Sequence, residues 1–432
     1  MRIVQLTPGS GDNFYCENCI RDLALVRALQ ALGHEVILVP MYLPLRLAEE
    51  TPGPAPAPLF FGGINVYLQQ KMAWFRQTPR WLDRCLDTAP LLRLAARQAG
   101  MTRARDLGET TLSMLAGAEG RQKKELDRLL AWLAGEPRPE ALILSNALLL
   151  GLARPLRERL GVPVSCFLQD EDDFIDGLGE PWSRRVWDAI RAEAPAVAQF
   201  FAVSRYYAET IGPRMGLTGD RIKIVPAGLD AAGFAPAAAS PRPPAIGFLS
   251  RLCRDKGLDL LAEAFICLKQ EPRWRDLRLR VMGGMLSSDR AYVAAIRQRL
   301  KQAGMAGTVD FFTEFSRAAR NRFLQGVSVL AVPERKGEAH GLYVLEGLAA
   351  GVPFVQPRNS VFPELLAETG GGILYEPGDV ASLTAALGTL LAEPDKAREL
   401  GRSGRLAVLE KYSAPVAARA LVRHLGEIFG AA

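Results

Sequence analysis

The sequence predicts two doubly wound α/β domains, each built on a parallel sheet, that face each other across a cleft. Three observations indicate this class. Strand-like and helical segments alternate in both halves of the chain, a Pro/Ala-rich linker at residues 231–244 separates the halves, and 432 residues exceed the ~250–300 at which a single core stops growing. The predicted domains span residues 1–235 and 236–412. Residues 413–432 are predicted to form a helix that packs back on the first domain.

The first domain opens with a βαβ unit. Strands are predicted at residues 3–6 and 36–39, on either side of a helix that ends at Gly33. The loop after the first strand contains Gly9 and Gly11. These glycines let the backbone approach a ligand at the carboxyl end of the strand, where doubly wound sheets bind their ligands.

Residues 43–135 interrupt this alternation, and we predict a helical insertion in the first domain. The segment contains a Pro/Ala stretch at 52–58, a strand at 60–67 that includes Gly62 and Gly63, and helical segments rich in Trp, Leu and Arg. Two interpretations are open. The insertion packs over the first domain, or it forms an acceptor platform or an interfacial membrane surface, because apolar and aromatic residues alternating with arginines suit lipid headgroups.

The first sheet resumes with predicted strands at 141–144, 162–168 and 200–203. The second of these strands ends in the polar run Gln169-Asp170-Glu171-Asp172-Asp173. Such a run is typical of a solvated loop, and an Asp-x-Asp pair at a strand end also suits a divalent ion.

The second domain is predicted from a renewed alternation after the linker. Helices are predicted to begin near residues 258, 292, 318 and 342. The strands between them are predicted at 245–249, 277–282, 308–312, 327–332, 354–356 and 372–375. This order indicates a second parallel sheet.

Composition and charge exclude several classes of function. Lys and Arg outnumber Asp and Glu by 53 to 47, and this net charge of +6 suits anionic ligands or an anionic membrane surface. The positive charges are dispersed and no aromatic-basic motif is present, so we expect no nucleic-acid partner. No run approaches the ~18–20 apolar residues of a membrane span, and no signal-peptide pattern is present. We expect a cytoplasmic protein, with peripheral contact at the inner face of the membrane as an open alternative.

Six cysteines are too few for a disulfide scaffold in a chain of this length, and we expect them to be reduced. Cys16 and Cys19 form a lone CxxC motif without the second pair that a structural zinc site needs. They either pack in or line the ligand cleft, or have a redox role at a helix N-terminus, where the pKa of a thiol is lowered.

The candidate site centres on two glutamates, Glu338 and Glu346, which are separated by seven residues. Gly341 lies between them and opens a helix whose buried side begins with Leu342. Glu338 therefore belongs to a loop and Glu346 to the helix. The free backbone N–H groups at this terminus and its positive dipole end attract phosphate.

A second group of charges follows the first strand of the second domain. The run is Ser250-Arg251-Leu252-Cys253-Arg254-Asp255-Lys256-Gly257. Cations at the carboxyl end of a strand, beside a helix start, are where a doubly wound sheet binds phosphates. Together with the loop of Glu338 they predict a site with cations for phosphate and carboxylates for hydroxyl groups.

These stretches resemble the retaining glycosyltransferases of the GT-B fold, the group that includes glycogen and sucrose synthases and bacterial mannosyltransferases. The resemblance covers most of the chain outside residues 43–132. The matching stretches are the glycine loop with Leu32-Gly33-His34-Glu35-Val36; Ala202-Val203-Ser204; Val225-Pro226-Ala227-Gly228-Leu229-Asp230 with Phe234; Ser250-Arg251-Leu252 with Lys256-Gly257; Glu338-Ala339-His340-Gly341-Leu342 with Glu346; Ala350-Gly351-Val352-Pro353; and Pro363-Glu364.

The resemblance implies a metal-independent transfer of a sugar from a nucleotide diphosphate sugar, with the first domain on the acceptor side. Arg251 and Lys256 would grip the diphosphate of the donor, and Glu338 would contact its sugar. Glu346 would accept hydrogen bonds from the ribose hydroxyls. The backbone around His340, Gly341 and Leu342 would face the sugar and the β-phosphate, and the loop of Gly11 would close on them.

The chain differs from the family pattern in three places. Ala339-His340 stands where Gly-Phe is common, the insertion and the CxxC motif are not shared, and Gln169-Asp170 replaces a frequent histidine. We assign Gln169 and Asp170 to the acceptor or sugar side. Two alternatives to a transferase remain open: a phosphorylase or epimerase of the same architecture, and a catalytically inactive nucleotide-sugar-binding protein. The acceptor is an unknown carbohydrate or a lipid-linked one.

Overall fold

The computed structural model describes residues 1–8, 17–42, 58–62, 66, 68–70, 72, 75, 78 and 107–430. Gly9, Gly11 and Cys16, together with most of the predicted insertion, lie outside the described residues. Within the described ranges the chain forms two parallel six-stranded sheets. The predicted fold class is confirmed.

The first sheet has the strand order β2-β1-β3-β4-β5-β6, with every neighbouring pair parallel. Its strands are β1 (Arg2–Thr7), β2 (Glu35–Pro40), β3 (Ala141–Leu144), β4 (Val164–Leu168), β5 (Gln199–Ala202) and β6 (Ile222–Ile224). The described helices of this unit are α1 (Glu17–Ala31), α2 (Gly108–Leu115), α3 (Lys123–Gly135), α4 (Ala153–Leu160), α5 (Glu171–Gly177), α6 (Trp182–Glu193) and α7 (Arg205–Arg214).

The second sheet has the order β12-β11-β10-β7-β8-β9, again parallel throughout. Its strands are β7 (Ala245–Leu249), β8 (Arg278–Met282), β9 (Val309–Phe312), β10 (Val329–Ala331), β11 (Phe354–Pro357) and β12 (Gly372–Tyr375). The helices are α8 (Leu258–Lys269), α9 (Arg290–Gln302), α10 (Arg317–Gln325), α11 (Leu342–Ala349), α12 (Phe362–Thr369), α13 (Val380–Ala392), α14 (Pro394–Ala407) and α15 (Ala414–Gly430).

Buried strands explain why both sheets are parallel. All residues of β3, β4 and β7 are buried, as expected where helices cover both faces of a sheet. The chain leaves β7 towards β8 and β9 on one side, and returns to β10 on the other side. The carboxyl ends of β7 and β10 therefore form the point at which the strand order reverses, and such a point is where doubly wound sheets bind ligands.

The last helix belongs to the core of the first unit. Ala414, Ala417, Leu421 and Leu425 of α15 are buried with Leu25 of α1 and neighbouring residues in one apolar cluster. The chain thus crosses from the second unit back to the first near residue 413. The predicted linker is partly buried as well, because Ala231 and Phe234 lie in the apolar core of the second unit.

The predicted strand at residues 60–67 is wrong. Among the described residues of this segment, 60–62 form no strand, although Phe60 and Phe61 are both buried, at 1% and 2% exposure. Val66 and residues 68–70 are helical. Gln69 and Gln70 are buried there because their side chains bond to residues on or next to α3.

The structure also adds β6, which no predicted strand covered. None of the described helices is long and apolar enough to cross a membrane.

Candidate functional site

Two loops meet at the reversal point of the second sheet, one after β7 and one after β10. Gly257 has φ +70°, and a Cβ at this position would lie 2.0 Å from the carbonyl oxygen of Pro333. Any other residue would push the loops apart, so glycine is required for their contact. This contact brings Lys256 of the first loop to Glu338 of the second.

Lys256 bridges two buried carboxylates. Its Nζ lies 2.5 Å from Glu334 Oε2 and 2.9 Å from Glu338 Oε2, and only 19% of the lysine side chain is exposed. Burial alone would lower the pKa of Lys256, but the charges of Glu338 and Glu334 raise it well above its usual value. The lysine is therefore charged, and the carboxylates of Glu334 and Glu338 already neutralise its charge.

Glu338 closes the N-terminus of α11. Its Oε1 accepts hydrogen bonds from the backbone N–H groups of Gly341 at 3.0 Å and His340 at 3.4 Å. Burial raises the pKa of the Glu338 carboxyl, but Lys256 and His340 lower it far below its usual range. Gly341 has φ +60° and precedes the first helical residue, so the glycine provides the left-handed conformation that starts α11 here.

His340 lies among three carboxylates and is 2% exposed. Its Nδ1 is 3.3 Å from Glu338 Oε1 and 3.5 Å from Glu17 Oε2, and its Nε2 is 3.8 Å from Asp170 Oδ2. Burial lowers the pKa of His340, whereas Glu338 and Asp170 raise it, to about 9. His340 is therefore a buried, charged neighbour of these carboxylates at the N-terminus of α11.

Asp170 reaches the same loop from the first unit. The residue adopts φ +60°, which is uncommon outside glycine, and its Oδ1 accepts a hydrogen bond of 2.8 Å from the N–H of Ala339. Burial and the charge of Glu338 raise the pKa of Asp170 to about 7. The structure thus brings Asp170 to Glu338 and His340.

Gln169, which we assigned to the same side, faces the interior of the first unit. Its side chain accepts a hydrogen bond of 2.9 Å from Arg21 and donates one of 2.6 Å to the carbonyl oxygen of Ser145. The residue is 2% exposed. The structure does not place this side chain in the cleft.

Glu346 lies in the second turn of α11 with no exposed surface. Both of its oxygens accept a hydrogen bond of 3.1 Å from Nε of Arg320, on α10. Arg320 also donates to the carbonyl oxygen of Phe315 at 2.5 Å. Glu346 therefore belongs to a buried ion pair and is not among the residues that line the cleft of Lys256.

That cleft has a volume of about 200 Å³ and lies between the two units. It contains more acids than cations, which is unexpected in a chain with a net charge of +6. The lining residues are Glu17, Asn18, Asp170, Asp173, Ser250, Arg251, Cys253, Asp255, Lys256, Glu334, Gly337 and Glu338. Arg251 keeps a buried Nε with no hydrogen-bond partner among the described residues, so this guanidinium retains a donor.

Glu17 and Asn18, at the start of α1, were not predicted as site residues. Glu17 Oε2 accepts a hydrogen bond of 3.2 Å from the N–H of Leu342, the first residue of α11, and Asn18 Oδ1 lies 2.9 Å from His340 Nε2. Burial and the charge of Glu338 raise the pKa of Glu17 well above its usual value. A signal was present, because both residues follow the glycine loop at the carboxyl end of β1.

The two units also touch beside this cleft. Ser204 Oγ donates a hydrogen bond of 2.6 Å to the carbonyl oxygen of Ala339. The carboxylate of Glu364 accepts hydrogen bonds from the backbone N–H groups of Arg205 and Tyr206, in the first turn of α7, at 3.1 and 2.8 Å. These contacts hold the loop of Glu338 against the first unit.

A second cleft, of about 460 Å³, lies at the carboxyl ends of β8 and β9, beside α10. Its lining is partly aromatic and partly charged. The residues are Arg280, Met282, Phe311, Phe312, Thr313, Glu314, Ala319, Arg322 and Phe323. Both clefts therefore lie along one edge of the same sheet.

Two family models match the chain in succession. Residues 21–228 match the glycosyl transferase 4-like domain, and residues 234–407 match the glycosyl transferases group 1. Gly11, Glu17 and Asn18 precede the first match, and the other residues assigned to the donor, acceptor or sugar side lie within the two matches.

Curated relatives are similar over parts of their length. A GDP-mannose-dependent alpha-(1-6)-phosphatidylinositol monomannoside mannosyltransferase of Mycolicibacterium smegmatis is 30% identical, over 49% of this chain and 57% of its own. A D-inositol 3-phosphate glycosyltransferase of Acidothermus cellulolyticus is 27% identical, over 79% of this chain and 80% of its own. An MMP alpha-(1->4)-mannosyltransferase of Mycolicibacterium hassiacum is 27% identical, over 54% of this chain and 56% of its own. The chain spans little more than half the length of the first and third of these relatives.

Solved structures share the fold. Sucrose-phosphate synthase from Thermosynechococcus elongatus has a TM-score of 0.74 at 17% identity, covering 100% of both chains. HepE from Anabaena, in complex with UDP and glucose, has a TM-score of 0.68 at 15% identity, covering 99% of this chain and 100% of its own. At these identities the similarity shows the fold alone.

Proposed function

The chain belongs to the glycosyltransferases of the GT-B fold, and from this premise we propose that it transfers a sugar from a UDP- or GDP-sugar to an acceptor hydroxyl with retention of the α configuration. The observation that carries the proposal is the cleft at the reversal point of the second sheet. Arg251, Lys256 and the N-terminus of α11 meet there. Fixed cations beside the positive end of a helix dipole suit a diphosphate leaving group.

The proposed reaction is an attack from the front face. The acceptor hydroxyl approaches the anomeric carbon on the side from which the diphosphate departs, and the new C–O bond forms as the bond to the β-phosphate oxygen breaks. The acceptor proton passes to a phosphate oxygen. Negative charge grows on the diphosphate during this step, so groups fixed around it lower the barrier.

Arg251 is proposed to provide most of that stabilisation from a side chain. Lys256 forms a buried group with Glu334 and Glu338 whose total charge is −1 when both acids are ionised. The Nε of Arg251 has no hydrogen-bond partner within the described ranges. The dipole of α11 adds positive potential at Gly341 and Leu342. On this account no metal is required, and chelation leaves turnover unchanged.

The donor is proposed to extend along the carboxyl edge of the second sheet. Its sugar would meet Glu338 and the backbone of His340, and its ribose would meet Glu346, which Arg320 holds in place. The nucleobase would lie in the cleft at the ends of β8 and β9, where phenylalanine side chains supply apolar surface. The loop of Gly11 would close over the sugar.

The acceptor is proposed to enter from the first unit, past Glu17, Asn18 and Asp170. The names of two relatives include phosphatidylinositol monomannoside and D-inositol 3-phosphate. A polyhydroxylated or lipid-linked acceptor is consistent with acids that accept hydrogen bonds from hydroxyls. A peripheral contact with the inner membrane face, through residues 43–135, belongs to the same proposal.

A donor screen tests the proposal. Purified protein is incubated with UDP-, GDP- and ADP-sugars and with inositol, inositol phosphate and mannoside acceptors, and the released nucleoside diphosphate is measured. We expect release with one donor class, and product in which the anomeric configuration is retained. Release from no donor would favour an inactive binding protein, and formation of a sugar phosphate would favour a phosphorylase. A phosphorylase that uses pyridoxal phosphate would also show the absorbance of its lysine Schiff base.

A further inference from the structure

Ala339, in the loop of Glu338, is embedded in the first unit although it belongs to the second. It has no exposed surface, and it lies in the apolar cluster whose other buried members, in the part of the chain that the structure describes, come from residues 4–217. Asp170 Oδ1 accepts a hydrogen bond of 2.8 Å from its N–H, and Ser204 Oγ donates one of 2.6 Å to its carbonyl oxygen. The first unit therefore holds the peptide groups on both sides of Ala339.

The contact with Ser204 determines which way one of these peptide groups points. The peptide between Ala339 and His340 is trans, so its C=O and N–H groups point in opposite directions. Because Ser204 holds the carbonyl oxygen towards the first unit, the N–H of His340 points away from that unit. This N–H lies 3.4 Å from Glu338 Oε1, which also accepts from the N–H of Gly341 at 3.0 Å. A hydroxyl of the first unit thus orients an amide that holds the carboxylate of Glu338.

The opposite orientation of this peptide group is unfavourable while Ser204 is present. If the group turned over, its carbonyl oxygen would face the carboxylate of Glu338, which would lose a donor and gain a repulsive neighbour. Without the hydroxyl, the buried carbonyl oxygen of Ala339 would lose its donor in the present orientation, and an unsatisfied buried acceptor is costly. The orientation therefore depends on the hydroxyl of Ser204.

Ser204 is itself held in place. It is 4% exposed and is the N-cap of α7, where its Oγ accepts a hydrogen bond of 3.1 Å from the N–H of Tyr207. One hydroxyl can accept that bond and donate to Ala339 at the same time. Beside it, the carboxylate of Glu364 in the second unit accepts from the first two N–H groups of α7. Each unit therefore bonds to backbone groups of the other at this point, which fixes Ser204 relative to the loop.

We propose that Ser204 is a positioning residue for the transfer, which acts through the peptide group between Ala339 and His340 to fix the carboxylate of Glu338 against the donor sugar. This role rests on the proposed function, in which Glu338 and the backbone of His340 meet that sugar. The diphosphate is proposed to be bound by groups of the second unit alone. Loss of the Ser204 hydroxyl should therefore lower the rate of transfer and leave nucleotide binding unchanged.

Three variants of Ser204 separate hydrogen-bond donation from capping of α7. Threonine caps and donates, an ionised aspartate caps but only accepts, and glycine is tolerated as an N-cap but has no hydroxyl. We expect kcat to fall roughly 10- to 100-fold in Ser204→Gly and Ser204→Asp, since a misplacement of about 1 Å can cost this much. Ser204→Thr should stay close to the wild type. The Kd of free nucleoside diphosphate, measured by calorimetry, should be unchanged in all three.

Two kinetic results would overturn the proposal. Wild-type kcat in Ser204→Asp would show that only the cap of α7 matters, and wild-type kcat in Ser204→Gly would show that the hydroxyl has no role. A role in folding alone would lower the active fraction and the Tm without separating kcat from the Kd. Because aspartate and threonine both keep the cap, the test does not depend on the stability of the glycine variant.

Amide hydrogen exchange tests the orientation without donor or acceptor. Peptides that cover residues 337–342 should exchange about tenfold faster in Ser204→Gly and Ser204→Asp than in the wild type, because their amides are held less firmly. Ser204→Thr should exchange at the wild-type rate. Unchanged exchange in Ser204→Gly would refute the role of Ser204 even if this variant were inactive. Faster exchange, with a wild type that turns over no donor, would instead refute the proposed function and confirm the orientation.

Glu368→Ala is the matched control for a general loosening of the two units. Glu368 lies one turn after Glu364 on α12 and also reaches α7, but it accepts from the exposed side chain of Arg205, at 2.7 Å. Exposed ion pairs of this kind contribute little to stability. We expect wild-type kcat and exchange in this variant. A loss of kcat equal to that of Ser204→Gly would show that any contact between the units has the same effect, and would contradict the assignment.

Discussion

The carboxylate of Glu17 accepts a hydrogen bond from the backbone N–H of Leu342, and so an acid of the first unit lies at the N-terminus of a helix in the second. A phosphate of the proposed donor needs the same N–H group. We therefore expect Glu17→Ala to strengthen binding of the free nucleoside diphosphate by about fivefold, or about 1 kcal/mol, the usual size of a charge effect at a helix terminus. Calorimetric titration measures it, with Glu158→Ala as the control because Glu158 is exposed on α4. Weaker nucleotide binding in Glu17→Ala would show that this carboxylate favours binding of the donor instead of competing with its phosphate.

Arg251→Ala should reduce kcat by roughly 10²–10³-fold, the usual loss when one fixed donor to developing charge is removed. The effect should appear mainly in kcat because charge on the diphosphate grows in the transition state. Thermal unfolding should change little, since the Nε of Arg251 has no hydrogen-bond partner to lose in the part of the chain that the structure describes. Arg254→Ala, at an exposed neighbouring position, is the control. Equal rates for Arg251→Ala and the wild type with every accepted donor would disprove the assignment.

Lys256→Ala should lower the free energy of unfolding by about 3–5 kcal/mol, because removal of one partner leaves buried charges uncompensated. Glu334 and Glu338 are 2% exposed each, and both lie within 3 Å of the lysine Nζ. Urea denaturation measures this loss. Adding Glu334→Gln to Lys256→Ala should recover part of it. If the double variant is no more stable than the single one, the acids do not repel each other as the geometry predicts.

Arg320→Met should also lower the free energy of unfolding by about 3–5 kcal/mol, because it removes the guanidinium that pairs with the fully buried carboxylate of Glu346. The double variant Arg320→Met with Glu346→Leu should regain most of that stability, since apolar residues often replace a buried ion pair without loss. If Glu346 binds the ribose, the double variant will be stable and bind nucleotide poorly. Normal nucleotide affinity in it would show that Glu346 is structural.

The second sheet was predictable from the sequence because βα units repeat there without interruption. The predicted strand at 245–249 and the predicted helix starts at 258 and 342 coincide with β7, α8 and α11. At residues 60–67 the local pattern predicted a strand, because aromatic residues beside Gly62 and Gly63 are typical of one. The side chains of Phe60 and Phe61 are instead buried in the apolar cluster that includes Leu126 and Leu129 of α3, a tertiary contact that no local pattern contains.

The candidate site was predictable only in part. Arg251, Lys256 and Glu338 come together because they follow strands that are neighbours in the sheet. The inward direction of Gln169 and the pairing of Glu346 with Arg320 depend on partners 148 and 26 residues away in the sequence. Side-chain direction at a strand end is decided by such partners, and a single sequence does not reveal them.

The packing of α15 against α1 and β1 has a consequence for synthesis of the chain. The first unit cannot complete its core until α15 has left the ribosome, because Ala417, Leu421 and Leu425 follow the second unit in the chain. Until then the apolar side of α1 is uncovered while the second unit folds. The growing chain therefore exposes this apolar surface to aggregation while the second unit is synthesised, and a protein truncated before residue 414 keeps the surface exposed permanently.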